Sequence, residues 1–150
     1  MSGVDIRKVH TLCYVWDPSG FYWGWQPCYL TKYPKRVVLL NALVPADQVI
    51  INVRRIDVAT AIEIIKNAEE VISYIGHKST ADLLSQLTGR PIPVNRGEWA
   101  PTADYGENEF AVIVRLKRRQ QTPGGGDAQV VLEDLEFMAA TYVRYNMIGP

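Results

Sequence analysis

The sequence predicts an α+β domain in which helices pack on a mixed β-sheet, with a β-hairpin added at the N-terminus. Three observations carry that prediction. Val37-Val38-Leu39-Leu40 is a continuous apolar run, as a strand buried on both faces requires. Residues 58–67 place Val58, Ala61, Ile62 and Ile65 on one helical stripe behind Asp57, a side chain suited to an N-cap. Aromatic and β-branched residues at 9–16 and 21–25 flank Asp17-Pro18-Ser19-Gly20, whose proline and glycine mark a turn.

Taken in order, residues 9–16 and 21–25 form the hairpin, and residues 32–36 connect it to the strand at 37–40. That strand ends at Asn41, and Pro45 marks a loop. Residues 49–56 are a strand, 58–67 a helix and 71–75 a third sheet strand closed by Gly76. Helix character resumes by Ser79 and runs to Leu87, with Leu83, Leu84 and Leu87 on its apolar side and Gly89 placed as a C-cap glycine. Residues 91–94 are extended, 97–108 irregular, and 110–119 form the clearest strand. Pro123 and three glycines make 120–127 a turn; 132–139 read as a short helix and 141–145 as a last strand. Strands and helices in this order predict a mixed sheet. The hairpin extension is assigned to residues 1–36 and the main domain to 37–150.

The chain has 150 residues, 47% hydrophobic and 21% charged, enough for one domain with a sizeable core. It has no apolar run of the ~18–20 residues that a bilayer span needs, and residues 1–8 lack the apolar stretch of a signal peptide. A cytoplasmic protein without a membrane partner is expected. Cys13 and Cys28 are the only cysteines and are expected to be reduced, packed thiols. His10 and His77 lie far apart, so neither a metal site nor a cofactor is expected. The formal net charge is zero, which argues against a duplex-DNA partner. The cations are nevertheless grouped, with Arg115, Lys117, Arg118 and Arg119 within five residues, a pattern suited to a small anionic ligand.

The chemistry is concentrated at Ile75-Gly76-His77-Lys78-Ser79-Thr80. A strand ends, a glycine permits a sharp turn, and a helix begins with His77 in its first turn or just before it. Free amide donors at a helix start favour an anion, and Lys78, Ser79 and Thr80 add a charge and two hydroxyls. The plain alternative is ordinary helix capping. Histidine in this position suits a general acid: the helix terminus disfavours the imidazolium, and a bound phosphate restores it. On the basic strand, Ile113, Arg115, Lys117 and Arg119 share one face, spacing three cations about 7 Å apart. A solvated outer face and a site for several phosphates both fit that spacing. Arg96, after Asn95, is a further guanidinium able to chelate a phosphate.

Asn41-Ala42-Leu43 after an apolar strand, Ile75-Gly76-His77 followed by Ser79-Thr80-Ala81, Leu87-Thr88-Gly89, Asn95-Arg96 and the basic strand ending at Arg119 occur as one ordered set. Together they resemble the viral ring nucleases, anti-CRISPR proteins of archaeal viruses and phages with bacterial relatives. The resemblance covers roughly residues 37–145. It implies a homodimer that binds cyclic tetra-adenylate, the messenger of type III CRISPR immunity, in a pocket shared by both subunits. It also implies metal-independent cleavage of the ring to linear di-adenylates, which silences effectors that the messenger would activate.

By motif position His77 is the implied general acid, Arg96 and a strand-end arginine the implied catalytic arginines, and Asn41 the family's first-strand asparagine; side-chain alternation favours Arg119 over Arg118 for the strand-end position. Ala42, Leu43, Gly76, Lys78, Ser79, Thr80, Arg115 and Lys117 complete the expected ligand-binding set. Where the family often carries a glutamate after the strand-end arginine, this chain has Gln120-Gln121-Thr122-Pro123. Glu98 and Asp127 are the candidate substitutes. That departure keeps open a binding module that sequesters the messenger without cutting it. The aromatic hairpin, which compact members of the family lack, leaves a nucleic-acid-binding or structural phage protein as a third reading.

Overall fold

The computed structural model describes residues 6–17, 22–104, 107–117 and 130–144. Strands β1 (His10–Asp17) and β2 (Tyr22–Tyr29) form a two-stranded antiparallel hairpin. The main sheet contains β3 (Arg36–Leu40), β4 (Val49–Ile56), β5 (Glu70–Tyr74), β6 (Asn108–Leu116) and β7 (Leu135–Arg144), in the order β4-β7-β6-β3-β5. β3 runs parallel to both β5 and β6, whereas β7 is antiparallel to β6 and β4. The expected α+β class with a mixed sheet is therefore the observed one.

β3 lies between β5 and β6, so both of its faces must be covered, and its four apolar residues are each at most 2% exposed. On one face Val37 and Leu39 join Val112, Val114 and Phe137 beneath helices α1 (Val58–Asn67) and α2 (Lys78–Thr88). The helices contribute Ala61, Ile64, Ile65, Ala81 and Leu84 to this cluster, and Val9 and Leu30 at the base of the hairpin extend it. On the other face Val38, Leu40, Ala111, Ile113 and Ala140 are covered by loops. Trp99 packs edge-on against Tyr142 at 5.0 Å, and the Tyr142 hydroxyl donates to the Val44 carbonyl at 2.6 Å. Burial raises the pKa of this phenol, which suits a hydroxyl kept as a donor. Fully burying a side chain of this size stabilises the fold by ~1.5–3 kcal/mol.

The helix ends follow local rules. The Asp57 carboxylate accepts the Thr60 backbone N–H at 2.7 Å, and hydrogen bonding from the Thr60 side chain, then from its backbone, holds the Asp57 pKa below the usual value. α2 ends at Gly89, whose φ of 70° is one that residues bearing a Cβ rarely adopt. Arg90 then reaches back to donate to the carbonyls of Ile65 and Ala68, closing the C-terminus of α1.

Three expectations are corrected. Residues 132–139 are not a helix: Leu132–Asp134 form a 3-10 turn, and β7 runs unbroken from Leu135. The period is two, with Leu135, Phe137 and Ala139 facing the helices and Met138, Ala140 and Tyr142 facing the other side. Cys13 and Cys28 are not free thiols but a disulfide with Cα atoms 5.9 Å apart. The hairpin register places Cys13 opposite Gln26 and Cys28 opposite Thr11, which brings the two sulfurs together across the strands. The basic strand is also shorter than expected, since β6 ends at Leu116. Residues 118–129, including Arg118, Arg119, Gln120, Gln121 and Asp127, lie outside the described residues.

Candidate functional site

The parallel strands β3 and β5 end side by side, an arrangement that leaves a crevice beyond their C-terminal ends in open α/β sheets. Asn41 follows β3, and Ile75-Gly76-His77 follows β5 and leads into α2. A parallel bridge between Ile75 and Val94, with the Asn95 N–H donating to the Ile75 carbonyl at 2.9 Å, lays the segment after α2 beside this turn. Three separate stretches of chain therefore meet at Gly76.

Both polar groups of Gly76 are engaged. Asn41 Oδ1 accepts its N–H at 2.7 Å, and Arg96 Nε donates to its carbonyl at 3.0 Å. The φ of Gly76 is not positive; among the described glycines Gly89 has a positive φ. A Cβ at position 76 would stand 3.4 Å from Arg96 Cγ and 3.6 Å from Asn41 Oδ1, so its small size serves the close approach of these two side chains.

His77 is the N-cap of α2, in extended conformation, half-buried and without a side-chain hydrogen bond to the helix start. Its carbonyl accepts the Ala81 N–H at 3.0 Å, which makes it the true first residue of the helical ladder. The residues after it have defined partners. Lys78 pairs with Asp82 at 2.8 Å on the exposed surface, Ser79 Oγ accepts the Val130 N–H at 2.7 Å, and Thr80 is buried.

Next to Gly76 is an open cleft of about 620 Å³. Asn41, Ala42, Leu43, Tyr74 and Arg96 line it, together with the Glu98-Trp99 pair. His77 adjoins the lining residue Gly76 without lining the cleft itself. Ala42 and Leu43 are exposed there, as a ligand-contacting pair would be. Tyr74 and Trp99 are the contributions that the sequence did not single out. Tyr74 occupies the last position of β5, where a strand hands over to a site, and that position was the available signal.

The cations of β6 are placed differently from the expected row of three. Ile113 is level with Leu40, so Arg115 follows two residues beyond, at the same end and face of the sheet as the cleft. Arg115 is ion-paired with Glu136, its register partner on β7, and Arg55 stands 3.9 Å from the same carboxylate. Lys117 is exposed just past the strand, with its backbone N–H on the Asp134 carbonyl. Arg119 is outside the described residues. Among the described residues, no three or more His, Cys, Asp or Glu side chains cluster as metal ligands, and no helix is long and apolar enough to cross a membrane.

The fold and site define an α+β domain whose candidate site gathers loops at the C-terminal ends of parallel strands. Residues 37–143 match the STIV B116-like family, and the chain belongs to this viral protein family. The matched span begins at β3, so the hairpin precedes it. Among solved structures, B116 of Sulfolobus turreted icosahedral virus is similar, with 20% identity, coverage of 70% of this chain and 97% of that one, and a TM-score of 0.45. No curated protein matches.

Proposed function

We propose that this protein is a metal-independent ring nuclease that binds cyclic tetra-adenylate and opens it to linear di-adenylates, acting as a homodimer with a site shared between subunits. The observation that carries the reading is the Asn41–Gly76–Arg96 clamp immediately before His77, which brings together three residues that the sequence resemblance names from three distant segments.

In this mechanism a ribose 2′-hydroxyl attacks the adjacent phosphorus, forming the O2′–P bond while the P–O5′ bond breaks; the hydroxyl proton passes to solvent, and each cut leaves a 2′,3′-cyclic phosphate and a 5′-hydroxyl. The nucleophile belongs to the substrate, so the protein's tasks are alignment, charge stabilisation and delivery of one proton. His77 delivers that proton to the departing 5′-oxygen. Arg96, whose Nε–H donates to the Gly76 carbonyl, turns its remaining N–H groups toward the phosphate, and Arg119 supplies the second positive charge. Tyr74 offers aromatic surface to adenine beside Asn41, Ala42 and Leu43. A two-fold symmetric ring fits two copies of this site across an isologous interface.

The test is chromatography of purified protein incubated with cyclic tetra-adenylate in the presence of a chelator. Linear di-adenylate is the expected product, lost in His77→Ala with binding retained. Full turnover by His77→Ala would remove that residue from the mechanism.

One observation favours a second reading. His77 stands beside the 620 Å³ cleft rather than in its lining, an arrangement compatible with a module that holds the ring without cutting it. Tight binding with no product after long incubation would select that module over the enzyme.

A further inference from the structure

A second recess lies at the opposite end of β3. It has a volume of about 420 Å³, between the hairpin and the starts of β3 and β6. Arg36 at its edge and Asn41 at the cleft are five positions apart, about 17 Å at ~3.3 Å per strand residue. The two sites are thus separate along the strand, and this one is built by the hairpin that precedes the family match.

The hairpin register makes an aromatic ladder. His10 is level with Tyr29 and Tyr14 with Trp25, two pairs on the same face of the hairpin with Leu12 and Pro27 between them. His10 and Tyr29 touch edge-on at 4.6 Å, as do Tyr14 and Trp25 at 5.3 Å. Cross-strand pairing explains why these rings are aromatic but not why they are left in water. Tyr29 is 61% exposed and Tyr14 is 53% exposed. Tyr29 borders the recess, and Lys32, Lys35 and Arg36 follow it on the same rim. The side chains of Lys32, Lys35 and Arg36 make no hydrogen bond or ion pair among the described residues, and no aspartate or glutamate lines the recess. Arg36 also borders a neighbouring depression that contains Asp104 and Glu107, so Lys32 and Lys35 are the freer of the three.

We propose that this recess and the aromatic ladder bind single-stranded nucleic acid. Rings exposed on a stiff, disulfide-closed platform stack on unpaired bases, and the adjacent cations follow the phosphates. A duplex presents no free base faces to such a platform.

The test is fluorescence anisotropy of the full-length protein with labelled oligouridylate and oligothymidylate, each about twelve nucleotides long. Three phosphate contacts predict that affinity falls about fortyfold between ~50 and ~300 mM salt. Tyr29→Ala is expected to weaken binding about tenfold. The Lys32→Ala, Lys35→Ala double variant is expected to flatten the salt dependence to about one contact. Unequal affinity for the two oligonucleotides identifies RNA or DNA as the preferred strand. Absence of binding overturns the proposal. So does binding that Arg96→Ala weakens while Tyr29→Ala and the lysine variant leave it intact, because the strand then occupies the cleft.

Discussion

Asn41 and Arg96 lie 55 positions apart in sequence and hold opposite sides of the same residue, Gly76, one on its N–H and the other on its carbonyl. This arrangement sets the position of His77, the next residue, relative to the cleft. Asn41→Ala leaves a partly buried N–H without its acceptor and is expected to cost ~1–3 kcal/mol in urea unfolding. Asn41→Asp keeps an acceptor and should retain most of that stability. Equal losses in the two variants would show that the hydrogen bond is not what holds the turn.

Gly76→Ala separates steric need from backbone need. The added methyl meets its nearest neighbours at 3.4 and 3.6 Å, and the glycine's φ is not positive. The variant should therefore fold, with a loss below about 1 kcal/mol. Larger residues displace Arg96 and should lower turnover of cyclic tetra-adenylate well before they lower the melting temperature. A fully active Gly76→Val protein would contradict the close approach.

What the sequence made legible divides along the same lines. β3 was readable because four adjacent apolar residues have no amphipathic alternative, and α1 because Asp57 caps a 3.6-residue stripe. β7 was not. Leu135, Phe137 and Ala139 alternate with Met138, Ala140 and Tyr142, and burial on both faces erased the polar positions that would have marked the period. At the site, the positions of Asn41, Gly76, His77 and Arg96 were predictable from the ordered set of motifs. Their contacts were not, because the Ile75–Val94 bridge that joins them depends on pairing across α2. The disulfide was missed for a similar reason: two cysteines 15 residues apart become a pair only once the hairpin register is known.

The disulfide should be measurable as a stability term. Closing a loop of 15 residues constrains the unfolded chain by ~3 kcal/mol in the loop-entropy account. Reduction, or Cys13→Ser with Cys28→Ser, is expected to lower the melting temperature. An unchanged temperature under both treatments would mean that the hairpin unfolds separately from the main domain.

The hairpin is also tied to the sheet through a pH-sensitive contact. Arg54 Nη1 stands 2.5 Å from His10 Nδ1, Thr11 Oγ1 bonds Thr141 Oγ1 at 3.0 Å, and Asn108 donates to the Leu12 carbonyl at 2.9 Å. Desolvation and then the Arg54 charge lower the pKa of His10. The folded state thus favours neutral imidazole, and the unfolded state binds more protons below pH ~6.5. The contribution is complete above that pH and decreases as the pH falls toward the lowered folded-state value. His10→Gln should remove this part of the acid sensitivity between pH 7.5 and 5.5, read by thermal melts at the two ends. Wild-type and variant curves that stay parallel would rule the contact out as the cause.

Ser79 separates fold from ligand in the first turn of α2. Its hydroxyl accepts the Val130 N–H and anchors the chain just before β7 to the helix start. Ser79→Ala is expected to destabilise by ~1 kcal/mol while changing affinity for the cyclic ligand little. A large affinity loss with unchanged stability would instead place the hydroxyl on the ligand.

Glu136 offers the sharpest test of the β6 cations. Its carboxylate neutralises Arg115 and stands near Arg55, and both guanidinium groups are largely solvent-exposed. With cations this exposed the pair contributes only ~0–1 kcal/mol to folding, and Glu136→Gln keeps the size and an acceptor at a carboxylate that is itself 18% exposed, so the variant should fold normally. The substitution leaves two positive charges uncompensated at the sheet end that carries the cleft. If Arg115 serves the tetra-phosphate ring, the variant should bind cyclic tetra-adenylate several-fold more tightly, with a steeper salt dependence. Calorimetric titration at two ionic strengths distinguishes the cases. Unchanged affinity and slope would assign Arg115 to the β6–β7 ladder alone, leaving Arg96 and the cations beyond Leu116 to meet the phosphates.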